Sequence, residues 1–235
     1  MRCLFAIDKG ASIGFNLNTV KMKSAKKEKK KAYHHGDLRR VLVEEAAKLA
    51  SREGVESVSL RRVATAARVS PAAPYHHFKN KSDLLAAVAD EGFRRLHGTM
   101  ARTASGYGKG KENVEGRLQG LGLAYVRFAV RHPHFFRVMF RPEIARAAEP
   151  DPESWGQRAY FQLIRSIQEV MGEEGEPSDE VMREVLYAWC IVHGLSSLWV
   201  DGALSLEEPY ASWGVEALAE YVTGRAGVGK GGGKK

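Results

Sequence analysis

Cysteine is nearly absent from this chain. Cys3 and Cys190 are the two in 235 residues, far apart and in different settings. Neither a disulfide framework nor a cysteine metal site can be built from them. A reducing cytosol suits that composition. No apolar run approaches the roughly 18 residues a membrane span needs, and Leu4–Ile7 is too short for a signal-peptide core. A cytoplasmic protein without membrane contact is therefore expected. Strand-like alternation is also missing. So are a glycine-rich phosphate loop, HExxH, GxSxG and CxxC, so no catalytic residue, cofactor or metal is expected. The adjacent His76 and His77 do not change this, because neighbours on a helix point about 100° apart.

Acidic residues are scarce at one end. Residues 1–31 hold nine Lys/Arg against two acids, net +7. Residues 33–98 hold eleven against eight, net +3, whereas residues 99–229 hold thirteen against eighteen, net −5. The basic excess thus lies at the N-terminal end, with a smaller one in the Gly/Lys tail 227–235. That asymmetry suits a nucleic-acid-binding end joined to a body with another task. The segment Lys21–Lys31 carries seven lysines and one glutamate. Like charges repel and little can be buried there, so residues 1–32 are expected to be a disordered extension. A start at Met22 in place of Met1 would keep six of these seven lysines.

What is present is helical punctuation. Asp37 is placed to cap a helix ending at Gly54, with Leu38, Val41, Leu42, Ala46 and Leu49 as its apolar stripe. Ser59 caps a second helix through about Ala67. Ser70 caps a third, with Pro71 in its first turn. Asn80 caps a fourth that runs to about Ala104, and Asp83 can reach back toward its start. The polar, glycine-rich Ser105–Lys111 reads as a loop or hinge. Five helical stretches follow: Val114–Arg131, a bent His134–Ala147, Ser154–Gly172, Asp179–Ala203 and Leu206–Arg225. The expectation is an all-α chain with a helix-turn-helix domain over 33–98 and a helical domain over 105–226.

Arg68–Val69 has the length of the turn between two crossing helices, the second of which can enter the major groove of double-stranded DNA. Arg61 and Arg62 can hold the phosphate backbone. Ser70, Pro71, Ala72 and Ala73 form a nearly side-chain-free front that permits close approach and methyl contacts to thymine. Tyr75, His76 and His77 supply polar groups. Lys81, opening the fourth helix, favours a phosphate. The bland alternative makes Arg61 and Arg62 ordinary surface charges and Phe78 core.

In the body, Val126, Phe128, Phe135, Phe136, Met139, Phe140, Tyr160 and Phe161 recur at helical spacing. They suit a helical core, or the wall of a cavity for a small apolar effector. His132, His193 and Arg137 could orient a polar end of such a molecule. Trp189 and His193 share a helix face.

Residues 33–96 resemble the N-terminal domain of TetR-type (tetracycline-repressor-like) transcriptional regulators. SLRRVATAARVS, APYHHFKNKSDLL and the spacing Tyr75-x-x-Phe78-x-x-Lys81-x-x-Leu84 carry the resemblance. It implies base and phosphate contacts from Arg62, Ser70, Ala72, Ala73, Tyr75, His76 and Lys81. Pro74 departs from the usual branched apolar residue. HPHFFRVMF (132–140) and WCIVHGLSSLW (189–199) resemble a C-terminal subgroup marked by Trp189, His193 and Gly194. The resemblance implies an effector-binding body, with Phe128, His132, Phe136, Met139, Phe140, Phe161, Trp189 and His193 as candidate pocket residues. It also implies a homodimer joined through the last two helices and a repressor bound to a palindromic operator. The rival from another class is a DNA-coating protein with weak sequence preference, suggested by the lysine arm.

Overall fold

Helix α1 spans His35–Glu53. It begins two residues before the expected cap, so Asp37 lies inside its first turn. The structure, a computed structural model, describes residues 35–107, 110, 113–147, 151 and 153–225. The expected disordered extension 1–32 and the tail 227–235 lie outside the described residues. Gly54 ends α1 at φ 86°, a backbone region in which a side chain would be strained. A 3-10 turn over Val55–Ser57 then leads to α2, Leu60–Ala66.

A second 3-10 turn, Ala73–His76, stands where an α-helix from Ser70 is expected. Pro74 explains the difference. It has no N–H to give the Ser70 carbonyl, which instead accepts from Ala73 N at 3.0 Å, three residues on. Helix α3, Lys81–Ser105, follows without a pause.

Helix α4 is Val114–Arg131. The bend expected in 134–147 is a full break into α5, Pro133–Met139, and α6, Pro142–Ala147. Pro142 causes it, since a proline disfavours helical backbone in the residue before it. Helix α7, Trp155–Met171, ends on Gly172 in the left-handed conformation. Helix α8 is Asp179–Val200, three residues shorter than expected. Helix α9, Tyr210–Arg225, starts after Pro209 and is broken at Gly214 (φ 75°). Among the described residues no strand occurs, and the all-α expectation holds.

α3 is the axis of the arrangement. Its N-terminal half packs Leu84, Leu85 and Val88 against α1, and its C-terminal half meets α4 and α7. One hydrophobic core runs from Leu42 and Phe78 near the N-terminal end to Phe128, Phe135 and Ala219 in the body. A smaller cluster joins α7 to α8 through Ile164, Ile167, Val181 and Val185. The α3–α5 approach is close at Gly92, where a Cβ would stand 2.9 Å from Met139 Sδ. No helix among the described residues is long and apolar enough to cross a membrane.

Candidate functional site

The helix-turn-helix is fixed locally by side-chain and backbone caps. Ser59 Oγ accepts from Arg62 N at 3.2 Å and opens α2. At its other end Val69 N donates to Ala64 O (3.0 Å) and Arg68 N to Thr65 O (3.1 Å). These two bonds make a Schellman ending, whose left-handed residue is usually glycine. Here it is Arg68, at φ 57°. Asn80 Oδ1 accepts from Asp83 N, and Asp83 Oδ2 reaches back to Lys79 N, both at 2.9 Å. The reach-back expected of Asp83 is therefore made, one residue before the cap.

Pro74 and Phe78 turn inward from the 3-10 segment, and both are buried. Burying them turns Tyr75 and His76 outward; Tyr75 is 61% exposed. Ser70, Pro71 and Ala72 are exposed beside them, with Ala73 half-buried. Arg61 is exposed, and its carbonyl accepts from Thr65 Oγ1. Arg62 and Lys81 are held differently. Arg62 donates to Glu53 Oε2 (2.5 Å) and to Ser57 O (2.9 Å). Lys81 Nζ donates to Glu56 O at 3.1 Å, with Glu56 Oε2 3.7 Å away. Both cations are anchored to the turn between α1 and α2. These pairs are solvent-exposed, so exchanging a carboxylate for a phosphate would cost little.

A cavity of about 80 Å³ lies in the body. Helix α3 contributes Phe93, Leu96 and Met100 to its wall, and α4 contributes Leu118, Leu121 and Tyr125. Phe140 follows α5; Ala159, Tyr160 and Leu163 come from α7; Ala188, Trp189 and Val192 from α8. The small Gly122 is needed because a Cβ there would stand 2.5 Å from Thr223 Cγ2. Tyr125 is buried, and its hydroxyl sits 2.7 Å from His193 Nδ1. It also accepts from Trp189 Nε1 at 3.4 Å. Burial pushes the Tyr125 hydroxyl pKa up and the His193 imidazole pKa down.

The sequence-based pocket residues divide by place. Phe140 and Trp189 line the cavity, and His193 stands behind Tyr125. Phe136 belongs to the aromatic group around His193, 5.2 Å between ring centres. Phe128 and Met139 are core. His132 packs on the Phe128 ring, where burial and the nearby Arg95 lower its pKa. Phe161 is 41% exposed on the outer face of α7. Arg137 pairs with Asp201 (3.0 Å) and donates to Val200 O. The α3 residues and Tyr125 escape a sequence reading, because α3 reads only as the end of the reader. The small residues Gly120, Gly122 and Ala124 flanking Tyr125 are the signal that α4 is closely approached.

Reader and body are also clasped by polar groups. Glu44 on α1 accepts from Arg95 on α3 (2.9 Å) and pairs with His134 on α5 (2.8 Å). Arg95 also bonds Glu91 (2.7 Å) and lies over the Phe135 ring. Burial works to raise the Glu44 pKa, but the bonds from His134 and Arg95 outweigh it and hold the carboxyl below its usual value.

Two family profiles match. "Bacterial regulatory proteins, tetR family" covers residues 42–88, and "Tetracyclin repressor-like, C-terminal domain" covers 118–221. The nicotine-responsive transcriptional repressor HdnoR of Paenarthrobacter nicotinovorans is 39% identical over 70 residues, 30% of this chain and 36% of that protein. The uncharacterized regulator YobS of Bacillus subtilis is 28% identical over 101 residues, 43% of this chain and 50% of that one. The chain thus spans half or less of the length of these curated relatives. A Rhodococcus sp. RHA1 protein of unknown function shares the fold at TM-score 0.59 and 29% identity, over 85% of this chain and all of that one. The fatty acid degradation regulator FadR of Bacillus halodurans does so at TM-score 0.65 and 16% identity, over 88% of this chain and all of that one.

Proposed function

The chain belongs to the tetR family of bacterial transcriptional regulators, which are not enzymes, and from that premise we propose that it is a cytoplasmic, ligand-responsive repressor. As a homodimer it binds a palindromic operator in double-stranded DNA and leaves it when a small molecule enters the body. The DNA contacts are assigned to Arg61, Arg62, Ser70, Ala72, Ala73, Tyr75, His76 and Lys81. Residues 33–98 form the reader and 105–226 the effector-binding and dimerisation domain.

One observation carries the proposal. The same helix, α3, holds the reader core with Leu84, Leu85 and Val88 and walls the cavity with Phe93, Leu96 and Met100. An effector that prefers one placement of α3 over another changes operator affinity by that difference. The homodimer is supported by exposed apolar side chains on the last two helices, among them Leu198, Trp213 and Tyr221. It is supported too by the smallness of one 3-10 reading segment.

Selection of operators from random DNA, followed by titration with ligand extracted from the purified protein, tests this. Inverted repeats with half-sites one helical turn apart, about 34–36 Å, are expected, and the ligand should lower affinity for them. Selected single half-sites would defeat the dimer, and an unaltered affinity would defeat the response. The lysine-rich segment 21–31 favours the second reading, a DNA-coating protein. That protein would yield no selected sequence at all.

A further inference from the structure

Accepting the cavity of the body as the effector site, we infer that its ligand is a compact, uncharged and largely apolar molecule bearing a hydroxyl or carbonyl. The inference deepens the proposed function and rests on it.

The chemistry of the wall sets the limit. Among the described residues that line the cavity, none carries a charged side chain. Two arginines on neighbouring helices are engaged elsewhere, Arg127 with Glu216 and Arg137 with Asp201, each at 3.0 Å. An ionised ligand would leave water without a counter-charge to meet it, which weakens its binding. His193, the titratable group behind Tyr125, has a lowered pKa through burial and is neutral near pH 7. It therefore offers no standing counter-charge, and pairing it with an anion would first require it to take up a proton.

The side-chain polar groups on the wall are the hydroxyls of Tyr125, Tyr160 and Thr223 and the indole N–H of Trp189. Thr223 Oγ1 donates to Ala219 O at 2.7 Å. Trp189 Nε1 is spent on the Tyr125 hydroxyl. That hydroxyl has one donor and two acceptor positions. Trp189 and His193 use two of them. One position remains, an acceptor or a donor according to the His193 tautomer. It suits a single ligand hydroxyl or carbonyl. Apart from the Tyr160 and Thr223 hydroxyls, the rest of the wall is aromatic or aliphatic, from Phe93 and Phe140 to Leu121 and Val192. Ligands with many polar groups would leave some of them unpaired, and each unpaired group weakens binding.

Calorimetric titration of the full chain at pH 7.5 with benzyl alcohol, benzoate and benzylammonium isolates charge at nearly constant size. Benzyl alcohol should bind at least about tenfold more tightly than either ion. Equal or tighter binding of an ion, or no binding of benzyl alcohol, would overturn the inference. Ala159→Phe fills the cavity from α7 and Ala188→Phe from α8. Each variant that folds, judged by circular dichroism, should lose the benzyl alcohol signal; a signal that persists places the molecule elsewhere and overturns the inference. Operator titration separates the two levels. Benzyl alcohol that binds in the cavity without weakening operator binding supports this ligand class and counts against the ligand response. An ion that binds there and releases operator does the reverse.

Discussion

The reader and the outer flank of the body treat their apolar side chains in opposite ways. In the reader, Leu42, Ala46, Val63 and Phe78 are wholly enclosed, and what reaches solvent near the turn is small or polar. Tyr75 is the exception there. On α8 and α9 several large apolar residues point outward: Leu198 is 49% exposed, Trp213 57% and Tyr221 60%. A surface of that kind is expensive to leave in water and is ordinarily covered. The reader encloses its apolar side chains within one chain, whereas the body leaves a face for the proposed second copy to cover.

The sharpest way to break this contrast is to truncate one phenylalanine on each side. Phe78→Ala should cost about 3–5 kcal/mol of unfolding free energy, while Phe161→Ala, at a partly exposed position of α7, should cost about half as much or less; chemical denaturation measures both. Next comes the flank itself. Leu198→Asp should raise the dimer dissociation constant by about 100-fold, because it buries an unpaired carboxylate. Sedimentation equilibrium reads this, and an unchanged constant would mean that the α8 face stays in water. Tyr75→Ala acts on the exposed tyrosine of the 3-10 reading segment. It should reduce discrimination between operator and random DNA by about 10- to 100-fold, or 1–3 kcal/mol, as measured by competition binding.

Acid should act on the join between the two regions. Glu44 has a lowered folded pKa, so its contribution is present above the unfolded value of about 4.5 and is lost as pH falls through the folded one. Glu44→Gln should therefore flatten the loss of thermal stability below pH 4.5. The smallest effect is expected at Arg68. Glycine accepts its left-handed backbone without strain, so Arg68→Gly should raise stability by about 0.5–1 kcal/mol; a decrease would show that the arginine side chain matters more than its backbone.

Much of the reader was legible because its signals are local. Ser59 and Asn80 cap the helices they were expected to cap, and Gly54 and Gly172 end theirs. The recognition segment was misjudged as an α-helix, since Pro71 looked like a good first-turn residue while Pro74 removed the bond that would have continued the helix. The cavity was less legible. Phe140 and Phe161 have equal claims by periodicity, yet one lines the space and the other faces water. Which face of a helix turns inward depends on partners distant in sequence. For the same reason no periodicity revealed that α3 would wall the cavity, or that Tyr125 would hold both Trp189 and His193.

The length of α3 has its own consequence. Twenty-five residues in one unbroken helix make a rod about 37 Å long. Pivoting it by about 5° at its Ser105 end would carry Lys81 about 3 Å, close to the 3.4 Å rise of one base pair. Leverage of that kind turns a displacement at Met100 of well under 1 Å, the scale of a rotamer change, into a full step of register along the DNA.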